Sequence, residues 1–198
     1  MVPVTVVGDP SEYQVKLEPK HKKDSAIEEK KVVYASSILI EQVDARSFND
    51  GEEITLMNWG NAIVGSCKRS PSGVVSPVVL DLHLDGDFRQ TKKKITWLAA
   101  PTTTHQLVDV VLLEYDYLIT KKKLDEQDTL ADLVTPVTEF RTHAVADGNV
   151  LELNKGDIIQ FERKGYYFLM ARMRGAWLSF VFQTAGPLVL QARRLLWM

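Results

Sequence analysis

Apolar residues recur at alternate positions along most of this chain, the period of an extended strand whose two faces meet different surroundings. In the run from Val78 to Leu84, Val78, Leu80, Leu82 and Leu84 share one face while Asp81 and His83 take the other. Ile54 and Leu56, Ile95 and Trp97, and Val108, Val110 and Leu112 repeat the pattern. Between these runs lie turn-forming triplets: Asn49-Asp50-Gly51, Pro71-Ser72-Gly73, Asp85-Gly86-Asp87 and Asp147-Gly148-Asn149. Short strands at this spacing predict a mainly β chain of barrels or sandwiches. One short peripheral helix is predicted over residues 125–134, with Leu124, Leu130, Leu133 and Val134 on one face. Residues 16–31 carry many charges, Pro19 and little apolar content, so they read as an exposed connection with a basic spot at Lys20, His21, Lys22 and Lys23.

With 198 residues, 45% of them hydrophobic, the chain can bury the core of one domain or of two small ones. Its single cysteine, Cys67, rules out a disulfide framework and a multi-cysteine zinc site and suits a reducing compartment. The N-terminus lacks the charged start and cleavage site of a signal peptide, and no run of apolar residues is long enough to predict a spanning helix. The net charge of −2 is unevenly placed. Residues 171–198 contain no Asp or Glu but four arginines, Arg172, Arg174, Arg193 and Arg194. Removing those four from the 24 basic residues leaves 20 against 26 acidic ones in the first 170 positions. The tail differs in composition from everything before it.

No phosphate-cradling glycine loop, dinucleotide fingerprint or nucleophile elbow occurs. The four histidines, His21, His83, His105 and His143, stand at no metal-ligand spacing, and His83 alternates with leucines so as to face solvent. No catalytic, cofactor or metal site is therefore expected. Two features suit nucleic acid instead. In Lys92-Lys93-Lys94, ahead of a strand carrying Trp97, the alternate residues Lys92 and Lys94 are placed to line a phosphate path, although such runs are usually solvated faces. The segment from Lys155 to Tyr167 reads as a strand ending at Arg163, a Lys164-Gly165 turn, and two tyrosines. A planar guanidinium beside aromatic rings is what an unpaired RNA base requires, a donor fork for its edge and a π-face for stacking.

Several segments in consistent order, from about Val2 to Tyr167, carry a specific likeness: EEITLMNWGNAIV from Glu52, GDFRQTKKKITWLA from Gly86, LLEYDYLITK from Leu112, TEFR from Thr138 and NKGDIIQFERKGYY from Asn154. Together they resemble the C-terminal anticodon-binding region of eukaryotic cytosolic glutamyl-tRNA synthetases. The related glutaminyl enzymes share the Q-F-E-R motif but tend to carry arginines where this chain has Thr55 and Met57, which favours the glutamyl branch. The resemblance implies two six-stranded antiparallel β-barrels of the ribosomal-protein-like anticodon-binding fold, with short peripheral helices. It implies a nested layout: residues 1–19 and 101–170 in a first barrel, residues 20–100 in a second, inserted one. It also implies that Gln160 and Arg163 contact an anticodon nucleotide. Residues three apart on a regular strand face opposite sides, so both reach one nucleotide only if the strand bends before Lys164. Otherwise Arg163 serves merely to pair a surface carboxylate such as Glu162.

The implied partner is tRNA, through its anticodon stem-loop, with other synthetases or assembly factors as further partners, no DNA and no membrane; the implied location is the cytoplasm. No cofactor is implied for this chain, because ATP would bind a catalytic domain whose H-I-G-H-like and K-M-S-K-S-like loops do not occur in it. The chain reads as the C-terminal portion of a synthetase, inactive as a ligase alone. A different class of reading is a scaffold module that docks to proteins without reading RNA. Past Tyr167 the likeness stops, and residues 171–198 are expected to be a non-matching tail of unrelated sequence. Coherent hydrogen bonding there would count against that expectation; the run from Trp177 to Phe182 is the part able to replace a missing edge strand.

Overall fold

The computed structural model describes residues 1–8, 13–20, 28–121, 123, 125–172 and 178–182. The basic spot at His21, Lys22 and Lys23, together with Leu124, Arg174, Trp177, Arg193 and Arg194, lies outside them. The chain divides into two compact units, Met1–Leu107 and Val108–Met198. It is mainly β, as its alternating pattern predicts.

The first unit contains β1 (Val2–Val7), β2 (Tyr13–Pro19), β3 (Glu29–Ala35), β4 (Ser37–Ile40), α1 (Gln42–Arg46), β5 (Glu53–Leu56), β6 (Gly60–Arg69), β7 (Val75–His83), β8 (Lys94–Ile95) and β9 (Trp97–Ala99). One sheet runs in the order β8-β5-β6-β7-β1-β4-β9. Its two ends are consecutive in the chain, separated only by Thr96: Leu56 pairs with Ile95 on one side and Ile40 with Trp97 on the other. One interrupted segment thus joins both ends, and the sheet closes as a barrel of six strands when β8 and β9 count as one. Closure removes the unpaired edges that an open sheet exposes.

The barrel interior follows from alternation. Val2, Val4 and Val6 of β1 are buried while Pro3, Thr5 and Val7 face out. They meet Ile38, Ile40, Ile54, Leu56, Val64, Val78, Leu80 and Ile95, with Ala45 of α1 and Phe48 also packed into the cluster. Each such valine or leucine contributes about 1.5–3 kcal/mol relative to exposure.

This arrangement corrects the nested layout. β1 lies between β4, antiparallel to it, and β7, parallel to it. The N-terminal strand therefore completes the barrel whose other strands lie within residues 37–99 rather than joining the segment after Pro101. Antiparallel pairing is also not universal, since β1 with β7 and β5 with β8 run parallel.

The described parts of the segment expected as an exposed connection, residues 16–20 and 28–31, belong largely to strands. β2 and β3 form a two-stranded ribbon. Its Tyr34 packs against Trp59 and Trp97, with ring centroids 5.2 and 5.5 Å away, and donates its hydroxyl hydrogen to the Asn58 carbonyl at 3.0 Å. Burial, then the nearby Glu18 carboxylate, pushes the Tyr34 hydroxyl up to about 12. The many charges hid this ribbon because only one of its faces is packed.

The second unit contains β10 (Val108–Tyr115), α2 (Leu130–Leu133), β11 (Glu139–Ala146), a 3-10 turn (Gly148–Glu152), β12 (Ile158–Phe161), β13 (Gly165–Arg172) and β14 (Leu178–Phe182). Its five strands run β11-β10-β14-β13-β12, so among the described residues the six expected strands are five. β14 comes from the tail, and it is central, parallel to β10 and antiparallel to β13. Phe180 is fully buried among Val110, Leu112, Ile159, Phe161, Tyr167 and Leu169. A buried strand must satisfy its backbone groups, and β14 does so on both sides. The run expected to replace a missing edge strand thus is a strand over residues 178–182, but a central one, and its coherent hydrogen bonding counts against a tail of unrelated sequence.

The helix predicted over residues 125–134 shrinks to α2. Before it, the Asp128 carboxylate accepts the Asp125 backbone N–H at 2.7 Å and the Lys121 ammonium at 2.7 Å. Such side-chain bonds offer the backbone an alternative to a helical turn.

Candidate nucleic-acid interface

In the second unit, the Q-F-E-R segment forms the end of a hairpin. Strand β12 stops at Phe161, and residues 162–164 make the turn, closed by the Lys164 N–H donating to the Phe161 carbonyl at 3.0 Å. Arg163 is exposed and adopts a left-handed conformation, φ 64°. That supplies the bend that Gln160 and Arg163 require to approach one nucleotide, because Arg163 has left the strand and its face alternation. Holding a non-glycine residue there costs of order 1 kcal/mol and persists where surroundings impose it.

Gln160 lies opposite Tyr166 in the ladder, between Ile159 and Phe161, whose side chains enter the core. Its Oε1 is shielded from solvent and has no hydrogen-bond partner among the described residues. An acceptor in this state is destabilised by about 1–3 kcal/mol relative to one that is bonded.

The two tyrosines of the motif separate in role. Tyr166 is half-buried beside Gln160. Tyr167 is a core residue, its ring 5.5 Å from Phe161 and 5.4 Å from Phe182 and its hydroxyl donating to Glu114 at 2.9 Å. Burial first, and then that bond to a carboxylate, raises its pKa and keeps the phenol neutral. Gly165 is constrained by the tail: at φ 127° it leaves room for the Phe182 ring, which an added Cβ would meet at 2.7 Å. The tail strand and the family-like hairpin are thus fitted to one another.

In the first unit, the lysine run does not form a phosphate path. Lys92 is exposed, as expected. Lys93 pairs with Glu52 at 2.6 Å and donates to the Ser47 carbonyl. Lys94 turns inward and donates to the Thr91 carbonyl at 2.7 Å, the Phe88 carbonyl and the Thr91 hydroxyl. Its ammonium is spent inside the loop, because three acceptors converge where an alternating strand would have shown it to solvent. Of the pair Lys92 and Lys94, only Lys92 is placed to meet an outside ligand.

The acceptors around Lys94 belong to a network that sequence reasoning missed. The Thr55 and Thr91 hydroxyls are 2.5 Å apart, Thr55 donates to Asn61 at 2.9 Å, and Asn61 donates to Glu53 at 3.0 Å. Glu53 also meets His83 at 2.8 Å, and the Asn61 and His83 bonds hold its carboxyl below the ordinary range. No sequence signal marks these residues, since polar positions on strands read as outward-facing.

Other chemistry is sparse. Burial pushes the Cys67 thiol up, which disfavours the reactive thiolate. Among the described residues no group of three His, Cys, Asp or Glu side chains is arranged to hold a metal ion, and no helix is long and apolar enough to cross a membrane.

The molecule is thus two β units, one closed as a barrel and one a five-stranded sheet, the second carrying an exposed arginine at a hairpin tip three residues from a half-buried glutamine. Residues 1–85 and residues 94–170 each match a family model described as the anticodon-binding domain of class I tRNA synthetases (E and Q). The chain belongs to that family. It is 48% identical over 169 residues to the probable cytoplasmic glutamate–tRNA ligase of Schizosaccharomyces pombe, covering 85% of this chain and 23% of that protein. The cytoplasmic glutamate–tRNA ligase of Saccharomyces cerevisiae is 48% identical over 162 residues, 82% of this chain and 22% of that protein. The bifunctional glutamate/proline–tRNA ligase of Mus musculus is 31% identical over 169 residues, 84% of this chain and 11% of that protein. The chain thus spans under a quarter of the length of these relatives.

Proposed function

We propose that this chain binds the anticodon loop of a tRNA and serves as the tRNA-recognition portion of a glutamate–tRNA ligase in the cytoplasm. The observation that carries the reading is the β12–β13 hairpin, where Arg163 stands exposed in a left-handed turn three residues from the unsatisfied Gln160 Oε1. A base with its edge toward this hairpin gives Arg163 acceptors, while the neighbouring Tyr166 ring supplies apolar contact; Gln160 meets a base donor once its side chain turns its shielded Oε1 outward. Lys92, in the other unit, contributes charge to phosphate. Lys94 acts indirectly, by holding its loop. The names of the relatives support glutamate as the amino acid. Joining glutamate to tRNA requires ATP chemistry for which this sequence offers no residues, so the role assigned to the chain is recognition rather than ligation.

The test is a titration of fluorescently labelled glutamate-accepting tRNA at rising salt. Phosphate-mediated binding falls steeply, with the logarithm of affinity linear in the logarithm of salt concentration. Binding that ignores salt, or an absence of RNA binding accompanied by capture of another protein, would favour the scaffold reading.

A further inference from the structure

The loop between β7 and β8 is held in a way its solvent-facing residues do not explain. Phe88 is 57% exposed, a large ring outside either core. An exposed phenyl group on a free loop would fold back onto apolar surface. This one is kept out by its own backbone: the Phe88 carbonyl points inward and accepts from the Thr91 hydroxyl at 3.0 Å and from the Lys94 ammonium. On its other side the loop is tied by the Gln90 N–H to the Asp87 carbonyl at 3.0 Å and by the Arg89 N–H to the Asp87 carboxylate at 2.9 Å. Thr91 itself is buried, its hydroxyl oxygen 2.5 Å from that of Thr55. Gly86 closes the base of the loop where any side chain would collide with Glu53 and Asn61.

What the loop presents is therefore fixed: an aromatic ring with the Arg89 guanidinium 5.7 Å from its centroid, and the exposed Lys92 ammonium four residues on. Asp85 and Asp87 are the exposed acidic groups of the loop, and the Asp87 carboxylate accepts the Arg89 N–H. A ring with two cations beside it, pre-set in position, matches an unpaired nucleobase flanked by phosphates better than an apolar protein groove, which needs a contiguous patch.

We propose that Phe88 is a stacking platform for one unpaired base of the bound RNA, with Arg89 and Lys92 meeting the adjoining phosphates, and that the Lys94–Thr91–Thr55 network is its mount. This rests on the RNA-binding reading above and adds to it a contact site in the other unit. No covalent step is involved.

The experiment measures the affinity of the whole chain for a labelled RNA hairpin with a seven-nucleotide unpaired loop, comparing wild type with Phe88→Ala, Phe88→Leu and Phe88→Trp. Because the ring lies outside the core, all three variants keep the wild-type unfolding midpoint. The expected result is about ten-fold weaker binding for both Phe88→Ala and Phe88→Leu, with wild-type affinity or better for Phe88→Trp. Leucine matching phenylalanine would overturn stacking. Unchanged RNA affinity in Phe88→Ala, alone or with loss of self-association in sedimentation, would overturn the platform while leaving RNA binding by the chain intact. Absence of any hairpin binding by wild type would overturn both.

Discussion

The two units complete their sheets in different ways. In the first, every strand of the barrel lies within residues 2–99, and the strand that closes it, β8 with β9, is borrowed from residues matched by the second family model, which begins at residue 94. In the second, the central strand β14 lies beyond residue 170, where the family match ends. Likeness of sequence and physical completeness therefore have different boundaries. Main-chain hydrogen bonding demands that a strand fill the gap between β10 and β13, and it is indifferent to ancestry. Leu178 and Phe180 on one face suffice for the core.

The sharpest way to break this comparison is to remove residues 173–198. β10 and β13 then lose their shared partner, and the second unit should lose its slowly exchanging amides altogether while the first keeps its own. Hydrogen exchange followed by NMR reads this directly, and persistence of slow exchange in β10 and β13 would show β14 to be dispensable. Next in size, Phe180→Ala should destabilise the second unit by about 3–5 kcal/mol and Ile40→Ala the first by about 2–5 kcal/mol, both being fully buried. A loss below about 1 kcal/mol for Phe180→Ala in denaturant unfolding would mean that the tail strand is not core in the sense that β4 is.

Smaller effects sharpen the contrast between lysines. Lys94→Met leaves the Thr91 carbonyl without this donor and takes one of two donors from the Phe88 carbonyl, and should cost about 1–3 kcal/mol, whereas Lys92→Met should change stability by less than about 0.5 kcal/mol. Equal midpoints for the two variants would contradict the inward position of Lys94. Smallest is a pH effect at the ribbon. Because the folded state holds the Tyr34 proton up to about 12 against an ordinary 10, its contribution is fully present below pH 10 and is lost as pH rises from there through 12. Tyr34→Phe should abolish that share of the alkaline slope; an unchanged slope between pH 10 and 12 would assign it to other groups.

Much of the fold could be read in the residues. The alternation of Val78 with Leu80 placed β7 because one of its faces is buried, and Val108, Val110 and Leu112 placed β10, although Val111 and Leu113 are buried on its other face as well. The Lys164-Gly165 pair likewise marked the hairpin that carries Arg163. The rest depended on long-range pairing. Nothing local in the first strand says that it runs parallel to β7, where Val4 pairs with Val78, and so the nested layout failed. Ribbon β2–β3 was hidden because Lys16, Lys30 and Lys31 read as solvated chain, although Tyr34 anchors one face. Charge also concealed the difference between Lys92 and Lys94: the two are the same letter two positions apart, and only the convergence of the Thr91 and Phe88 oxygens separates them.

The measurement that bears most directly on recognition by the β12–β13 hairpin is a filter-binding titration of glutamate-accepting tRNA with wild type and Arg163→Ala at one fixed salt concentration. Arg163→Ala should weaken binding by about 1–3 kcal/mol, roughly five- to 150-fold, and narrow the gap between cognate and non-cognate tRNA. Equal affinity and equal discrimination in the two proteins would contradict it.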